Sequence, residues 1–246
     1  MQRKKKWLLL GICALLLALV LCAGLFLLGI IRINTPSLED YPVRGVDVSE
    51  YQGTIDWQVM ERQNIQFAFI RATEGSGYTD ATFAANWDAV AETGILAGAY
   101  HFFSFDSSAG TQAANFTAAV SNDRPMLPPV VDVELYGVHK QNPPNAEAVR
   151  QELDEMLRLL EEHYGVKPIL YATQKAYDLY LAGHYEQHPV WIRDVFFTPG
   201  LSDGRAWTFW QYSDKGRLDG YSGEEECIDL NVYSGTLAAL RQMVIG

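Results

Sequence analysis

Two carboxylates separated by a single residue, Asp132 and Glu134, stand in the segment "PPVVDVELYG" (Pro128 to Gly137), which otherwise reads as a buried strand. Burying charge among valines is costly, so the pair calls for a chemical explanation. Alternation along a strand puts Val130, Asp132 and Glu134 on one face and Val131, Val133 and Leu135 on the other. Three more strand-like stretches carry an acid in a similar apolar setting: Asp47 in "GVDVS", Asp194 in "WIRDV" and Asp229 in "CIDLN". Glu74 follows the strand "IRAT". Carboxylates gathered in one pocket raise one another's pKa, which is how an acid stays protonated near neutral pH. Taken alone, Glu74 or Asp194 reads as a turn or cap residue. Several acids on separate strands, one of them in a D-x-E pair, read as a reaction centre. A metal site is the competing chemistry, but the histidines are not spaced with these acids as ligands. His101 in "AYHFF" stands at a strand end, whereas His139, His163, His184 and His188 read as loop or surface positions. No metal and no cofactor is expected.

The elements that must position these acids alternate from Arg44 onward. The strand "RGVDVSEY" precedes a short helix over 56–63 capped by Asp56. Then come the strand "QFAFIRAT", a helix from about 80 to 93 closed by Gly94, and the strand "ILAGAYHFF". A helix near 108–121 leads to "PPVVDVE". The longest helix, about 145–164, ends at Gly165, and "KPILYAT" follows. After that, "PVWIRDV", "WTFWQYS" and "CIDLNVY" are separated by turns rather than by regular helices. Apolar strands alternating with helices imply a parallel sheet covered by helices. The expected fold is α/β, a single irregular TIM-like barrel of about eight strands with about five helices. In such barrels the chemistry sits at the C-terminal ends of the strands.

The first thirty residues are different. Arg3, Lys4, Lys5 and Lys6 precede an uncharged run from Trp7 to Ile31. As a helix that run extends roughly 37 Å, enough to cross a hydrocarbon core of about 30 Å. The expectation is a basic cytoplasmic tail over 1–6, a transmembrane anchor over 7–31, a linker over 32–43 and an extracytoplasmic domain over 44–246. The rival reading is a signal peptide cleaved near "CAG", with the domain then secreted. Five of the 19 basic residues precede Ile33 and all 30 acids follow it, so the remainder has a formal charge of 14 minus 30, or −16. That balance excludes nucleic acid as a partner. Of the three cysteines, only Cys227 lies beyond the apolar run, so no disulfide framework exists.

The stretches "RGVDVSEYQGTIDW", "FAFIRATEGSGYTDATFAANWDAVAETGILAGAYHFF", "PPVVDVE", "PILYAT", "WTFWQYS" and "IDLNVYSG" together resemble glycoside hydrolase family 25, the lysozymes of the Chalaropsis type. The resemblance covers Arg44 to about Gly235. It implies an irregular eight-stranded barrel that cleaves the β-1,4 bond between N-acetylmuramic acid and N-acetylglucosamine, with peptidoglycan glycan strands as partner. Carried over by position, it implies catalytic roles for Asp47, Asp132, Glu134 and Asp229, with Glu134 as proton donor. Two mechanisms remain open. In one, a second carboxylate activates water and the anomeric centre inverts; in the other, the substrate's acetamido group attacks, steadied by Asp132, and configuration is retained. The D-x-E pair resembles that of acetamido-assisted enzymes. Tyr51, Tyr78, Tyr100, His101, Phe102, Tyr171, Trp210 and Tyr212 are the expected substrate contacts, with Gln52 beside Tyr51. Arg193 and Asp194 in "WIRDV" depart from the family's usual small residue at that point, which bears on substrate range. No wall-binding repeats follow Gly235, so the anchor is expected to localise the enzyme for local wall remodelling. The alternative is a catalytically weak glycan-binding module or a scaffold within an envelope-spanning assembly.

Overall fold

The structure, a computed structural model, describes residues 2–27 and 34–246. The last residues of the expected anchor, 28–31, and the first two of the linker lie outside these. Helix α1 (Gln2–Leu27) belongs to a unit of its own that ends at Thr35. Its stretch Arg3–Phe26 is long and apolar enough to cross a membrane, with a mean hydropathy of 2.9 over its most apolar 18-residue window.

Pro36–Gly246 form the second unit. Its elements are β1 (Arg44–Val48), α2 (Trp57–Arg62), β2 (Phe67–Glu74), β3 (Tyr78–Thr79), α3 (Phe83–Val90), β4 (Leu96–Phe102) and α4 (Ala109–Ala119). The chain continues through β5 (Val130–Val133), α5 (Ala146–Tyr164), β6 (Ile169–Thr173), α6 (Gln174–Ala176), β7 (Val190–Arg193), β8 (Phe209–Gly216), β9 (Ile228–Tyr233) and α7 (Leu237–Gln242). β1 pairs with both β9 and β2, which closes the sheet into a barrel. Parallel pairing runs from β1 through β2, β4, β5, β6 and β7 to β8, and β9 runs antiparallel to both neighbours. The two-residue β3 is a hairpin on the end of β2. The change of direction at β9 follows from the turn-like connection before it, since a short loop reverses a strand and only a long crossover keeps it parallel.

Each strand serves two cores. Facing the helices are Val46, Val48, Ile70, Ala99, Val131, Val133, Leu170, Ile192 and Val232. Inside the barrel Phe67, Phe69, Val130, Ile169, Trp191, Phe209 and Tyr233 fill the floor. Phe69 stacks on Trp191 at 4.6 Å, and Phe67 meets Phe209 at 5.3 Å. Two inward-facing glycines make room for these rings. A Cβ on Gly45 would lie 2.5 Å from the Phe67 ring, and one on Gly98 would lie 2.7 Å from Phe69.

α5 shows how the sequence builds the outer layer. Val149, Leu153, Met156, Leu157 and Leu160 form its buried stripe at helical spacing. Asn145 caps it by accepting the N–H groups of Glu147 and Ala148, and Gly165 ends it in the left-handed region at φ 70°. α3 is shorter than expected. It ends at Val90, so Gly94 does not cap it, and the Gly94 N–H instead donates to Glu61. Its expected start, Asp80, is drawn off to serve Arg71 and the Glu50 backbone. The segment before β1 packs on the barrel: Val43 enters the inner core and Tyr41 lies against Trp207 and Trp210.

Candidate active site

The alternation that fills the barrel floor with aromatic rings carries polar groups inward near the C-terminal ends of the strands. β1 contributes Asp47, β2 Arg71, β4 Tyr100 and Phe102, and β6 Tyr171. Asp132 and Glu134 come from β5 and the residue just past it. Gln211 comes from β8 and Asp229 from β9. All of them line one cleft of about 260 Å³, together with Tyr51, Gln52 and Glu225 at its rim. A hollow of about 290 Å³ at the opposite end of the barrel, between Trp87, Leu96, Met126 and Val244, has no carboxylate in its lining.

Four carboxyl groups therefore converge in a cleft where Asp47 and Asp132 are buried and Glu134 and Asp229 partly so. Burial pushes Asp132 well above the usual carboxylate range, with further upward pressure from Glu134 and then Asp47. Its Oδ1 is buried and has no hydrogen-bond partner among the described residues. Burial also raises Glu134, against the pull of Arg193 and Lys140. Asp229 is raised well above its ordinary value by burial and then by Asp47. Asp47 is raised by burial while its bonds from Asn231 and Gln211 pull it down. Burial with such partners favours the protonated form of a carboxyl group, the kind of shift found at catalytic sites.

An amide network holds the floor. Gln211 Nε2 donates to both oxygens of Asp47, at 3.0 and 3.1 Å, and to Asp229 at 2.8 Å. Asn231 Nδ2 donates to Asp47 at 2.6 Å. Behind them the Tyr171 hydroxyl donates to Gln211 Oε1 and the Trp191 indole donates to Asn231 Oδ1. On the β2 side Arg71 donates to Asp80 at 2.8 Å and to Glu50 at 3.0 Å, with its guanidinium against the rings of Tyr51 and Tyr78. Arg193 pairs with Asp214 at 2.9 Å.

Of the expected substrate contacts, Tyr51, Tyr100, Phe102 and Tyr171 line the cleft. Tyr78 stands outside the lining, 38% exposed beside Arg71. Three others face away. His101 is fully buried on the helix side of β4, between Thr73 and Gln112. The indole of Trp210 donates to the Asp194 carbonyl, and its ring packs on Tyr41 and Trp207. Tyr212 accepts from Arg44 on the same outer face. The reason is parity, because neighbours of Tyr100, Phe102 and Gln211 on a strand must point the opposite way. Glu74 and Asp194 are absent from the lining; Asp194 Oδ1 accepts the N–H groups of Phe196 and Phe197 in a turn. Sequence reasoning passed over Gln211, Asn231, Trp191 and Arg71. A polar residue inside an apolar strand was the available signal for Gln211 and Asn231, as it was for Asp132. Arg71 in "FIRAT" carried the same mark.

Comparison with known proteins places this geometry. The sequence pattern of glycosyl hydrolases family 25 matches residues 46–221. Protein YegX of Escherichia coli K12 is 38% identical over 211 residues, covering 84% of this chain and 75% of its own. Lysozyme M1 of Streptomyces globisporus is 33% identical over 214 residues, covering 80% and 70%. Among solved structures, a family 25 glycosyl hydrolase from Bacillus anthracis superposes with a TM-score of 0.81 at 50% identity, covering 86% of this chain and 98% of that one. The bacterial lysozyme of Streptomyces coelicolor superposes at 0.74 with 30% identity, covering 82% and 96%. By its sequence pattern and by its barrel, this chain belongs to glycosyl hydrolases family 25 and is a glycoside hydrolase of the muramidase type.

Proposed function

We propose that the protein is a membrane-anchored muramidase that hydrolyses the β-1,4 bond between N-acetylmuramic acid and N-acetylglucosamine in peptidoglycan, for local remodelling of the wall. The observation that carries this reading is the convergence of Asp47, Asp132, Glu134 and Asp229 in one cleft at the C-terminal mouth of the barrel. Glu134 is the proton donor to the leaving oxygen. It is the least enclosed of the β5 pair, only partly buried, and its raised pKa keeps a proton available. Asp132 orients the substrate's acetamido group, and its unpartnered Oδ1 accepts the acetamido N–H. That donated bond favours the charged form of Asp132 and leaves the proton shared by the pair on Glu134. The acetamido oxygen then attacks the anomeric carbon as Glu134 protonates the leaving sugar, and water opens the resulting ring with Glu134 acting as base. Tyr51, Tyr100, Phe102 and Tyr171 offer faces and edges to the sugars.

The anchor reading rests on α1 and the basic residues at its start, Arg3 to Lys6. On this reading the basic residues stay in the cytoplasm and the domain lies on the outer side of a cell membrane, close to its substrate. Release of reducing ends from purified peptidoglycan by the full-length protein tests the activity. Turnover is expected in the native chain and a loss of about 10²–10⁴-fold in Glu134→Gln. Equal rates for the two would remove Glu134 from its role, and no release by either would leave a glycan-binding module.

A further inference from the structure

Asp47 and Asp229 are direct partners across the antiparallel β1–β9 ladder. Residues so placed have Cβ atoms about 5 Å apart, and both side chains point into the cleft. Two full charges at that range, in a site this enclosed, repel strongly, so the pair holds one proton between its two members. Which member holds it is decided by the donors around them. Asp47 receives three amide contacts, two from Gln211 and one from Asn231, and Asp229 receives one. N–H donors stabilise a carboxylate and not a carboxylic acid. Asp47 is therefore the better anion.

The orientation of the two amides is itself fixed. An indole can only donate, and Trp191 donates to Asn231 at 2.8 Å, which turns the Asn231 NH2 toward Asp47. Tyr171 meets Gln211 Oε1 at 2.9 Å. Reversing the Gln211 amide would set its carbonyl oxygen against both oxygens of the Asp47 carboxylate, so its NH2 faces the acids. Both amides are almost fully buried and have no solvent to compensate a wrong orientation.

We propose that Gln211, seconded by Asn231, is a positioning residue that assigns the charge to Asp47 and the proton to Asp229, so that the pair presents a single negative charge to the cleft. The proposal rests on the reading of this cleft as the catalytic centre and extends it to residues that exchange no proton with the substrate. The other charged and titratable groups facing the pair are Arg71 on β2, Tyr100 on β4, Asp132 and Glu134 on β5, Tyr171 on β6, Arg193 on β7 and Asp214 on β8. Arg193 favours the anion in both members, while Asp214 opposes it in Asp229. A protonated Asp229 cannot take a proton from water. A far-face base is thus missing from β9, and Asp47 on β1 is the member of the pair left charged.

The test reads the two acids directly and needs no turnover. In the full-length protein in detergent micelles, aspartates labelled with 13C at Cγ are titrated from about pH 4 to pH 8. Asp47→Asn and Asp229→Asn assign the two signals. At neutral pH the Asp47 signal is expected at the carboxylate position and that of Asp229 at the acid position. Gln211→Met is expected to move both titrations. On peptidoglycan it should lower kcat about tenfold with KM within about twofold, and shift the pH profile. Two carboxylate signals at neutral pH, the proton on Asp47 instead of Asp229, or titrations unmoved by Gln211→Met would overturn the proposal. An inactive native protein with the expected titrations would instead remove the muramidase reading and leave the charge assignment standing.

Discussion

Glu134 and Asp132 leave one face of β5 for the same cleft, and their replacement separates two duties. Glu134→Gln keeps the volume and loses the proton, so kcat should fall by about 10²–10⁴-fold with little change in KM. Asp132→Asn should cost as much on substrates bearing the acetamido group, because a neutral amide lacks the charge that steadies the positive charge developing on that group as it attacks. Burial raises Glu134 above the ordinary carboxylate range. The acid form therefore persists to higher pH than for a solvated glutamate, and kcat/KM should decline as pH rises through that raised value. A pH profile with no falling limb on the alkaline side would contradict the assignment. The four acids were legible in the sequence because each stood among apolar neighbours. The parity of the aromatic residues was not. Tyr100, His101 and Phe102 cannot all face inward, and only the pairing of β4 with β2 and β5 decides which of them do. The same limit exchanged Gln211 for its outward neighbours Trp210 and Tyr212.

At the scale of the elements, the barrel closes because β1 and β2 fit tightly around the inner rings. Gly45→Ala would press its methyl into Phe67, whose ring is held by Phe69 and Phe209 and has little room to yield. A loss of about 1–3 kcal/mol is expected in denaturant titrations, as for overpacked cores. An unchanged midpoint would show that the ring can move. The junction of β4 and α4 makes a separate, pH-linked contribution. Gln112 spends its NH2 on the Ser104 and Ser107 carbonyls, so its Oε1 accepts from His101 Nε2, and burial favours the neutral imidazole. Burial lowers the His101 pKa from 6.5 to about 4. The unfolded chain binds that proton at higher pH than the folded one. Stability from His101 is therefore complete above about pH 6.5 and is lost as pH falls toward 4, by up to about 3 kcal/mol. Asp132 and Asp229, raised by burial, act in the opposite sense and gain stability as pH falls. The difference between native protein and His101→Gln isolates the histidine, and equal pH slopes for the two would refute its share. Most strands and helices followed from apolar runs and from caps such as Asp56. The late start of α3 did not, because the demand of Arg71 on Asp80 is a tertiary contact.

The whole molecule joins a strongly acidic enzyme to an apolar N-terminal helix. A chain with α1 uncleaved should stay with membranes through a high-salt wash and leave them only with detergent; recovery in the medium would mark that segment as a removed signal. The charge of residues 33–246, 14 minus 30, or −16, favours free movement over anionic wall polymers in place of adhesion. Binding that strengthens as salt is lowered would contradict that. These properties matter only if the cleft breaks the bond assigned to it. The most direct measurement is the identity of the new chain end. Peptidoglycan digested by the full-length protein is reduced with borohydride, hydrolysed to monomers and analysed for sugar alcohols. Muramicitol should appear in proportion to digestion and be nearly absent with Glu134→Gln, whereas glucosaminitol, or muramicitol undiminished in that variant, would contradict the account.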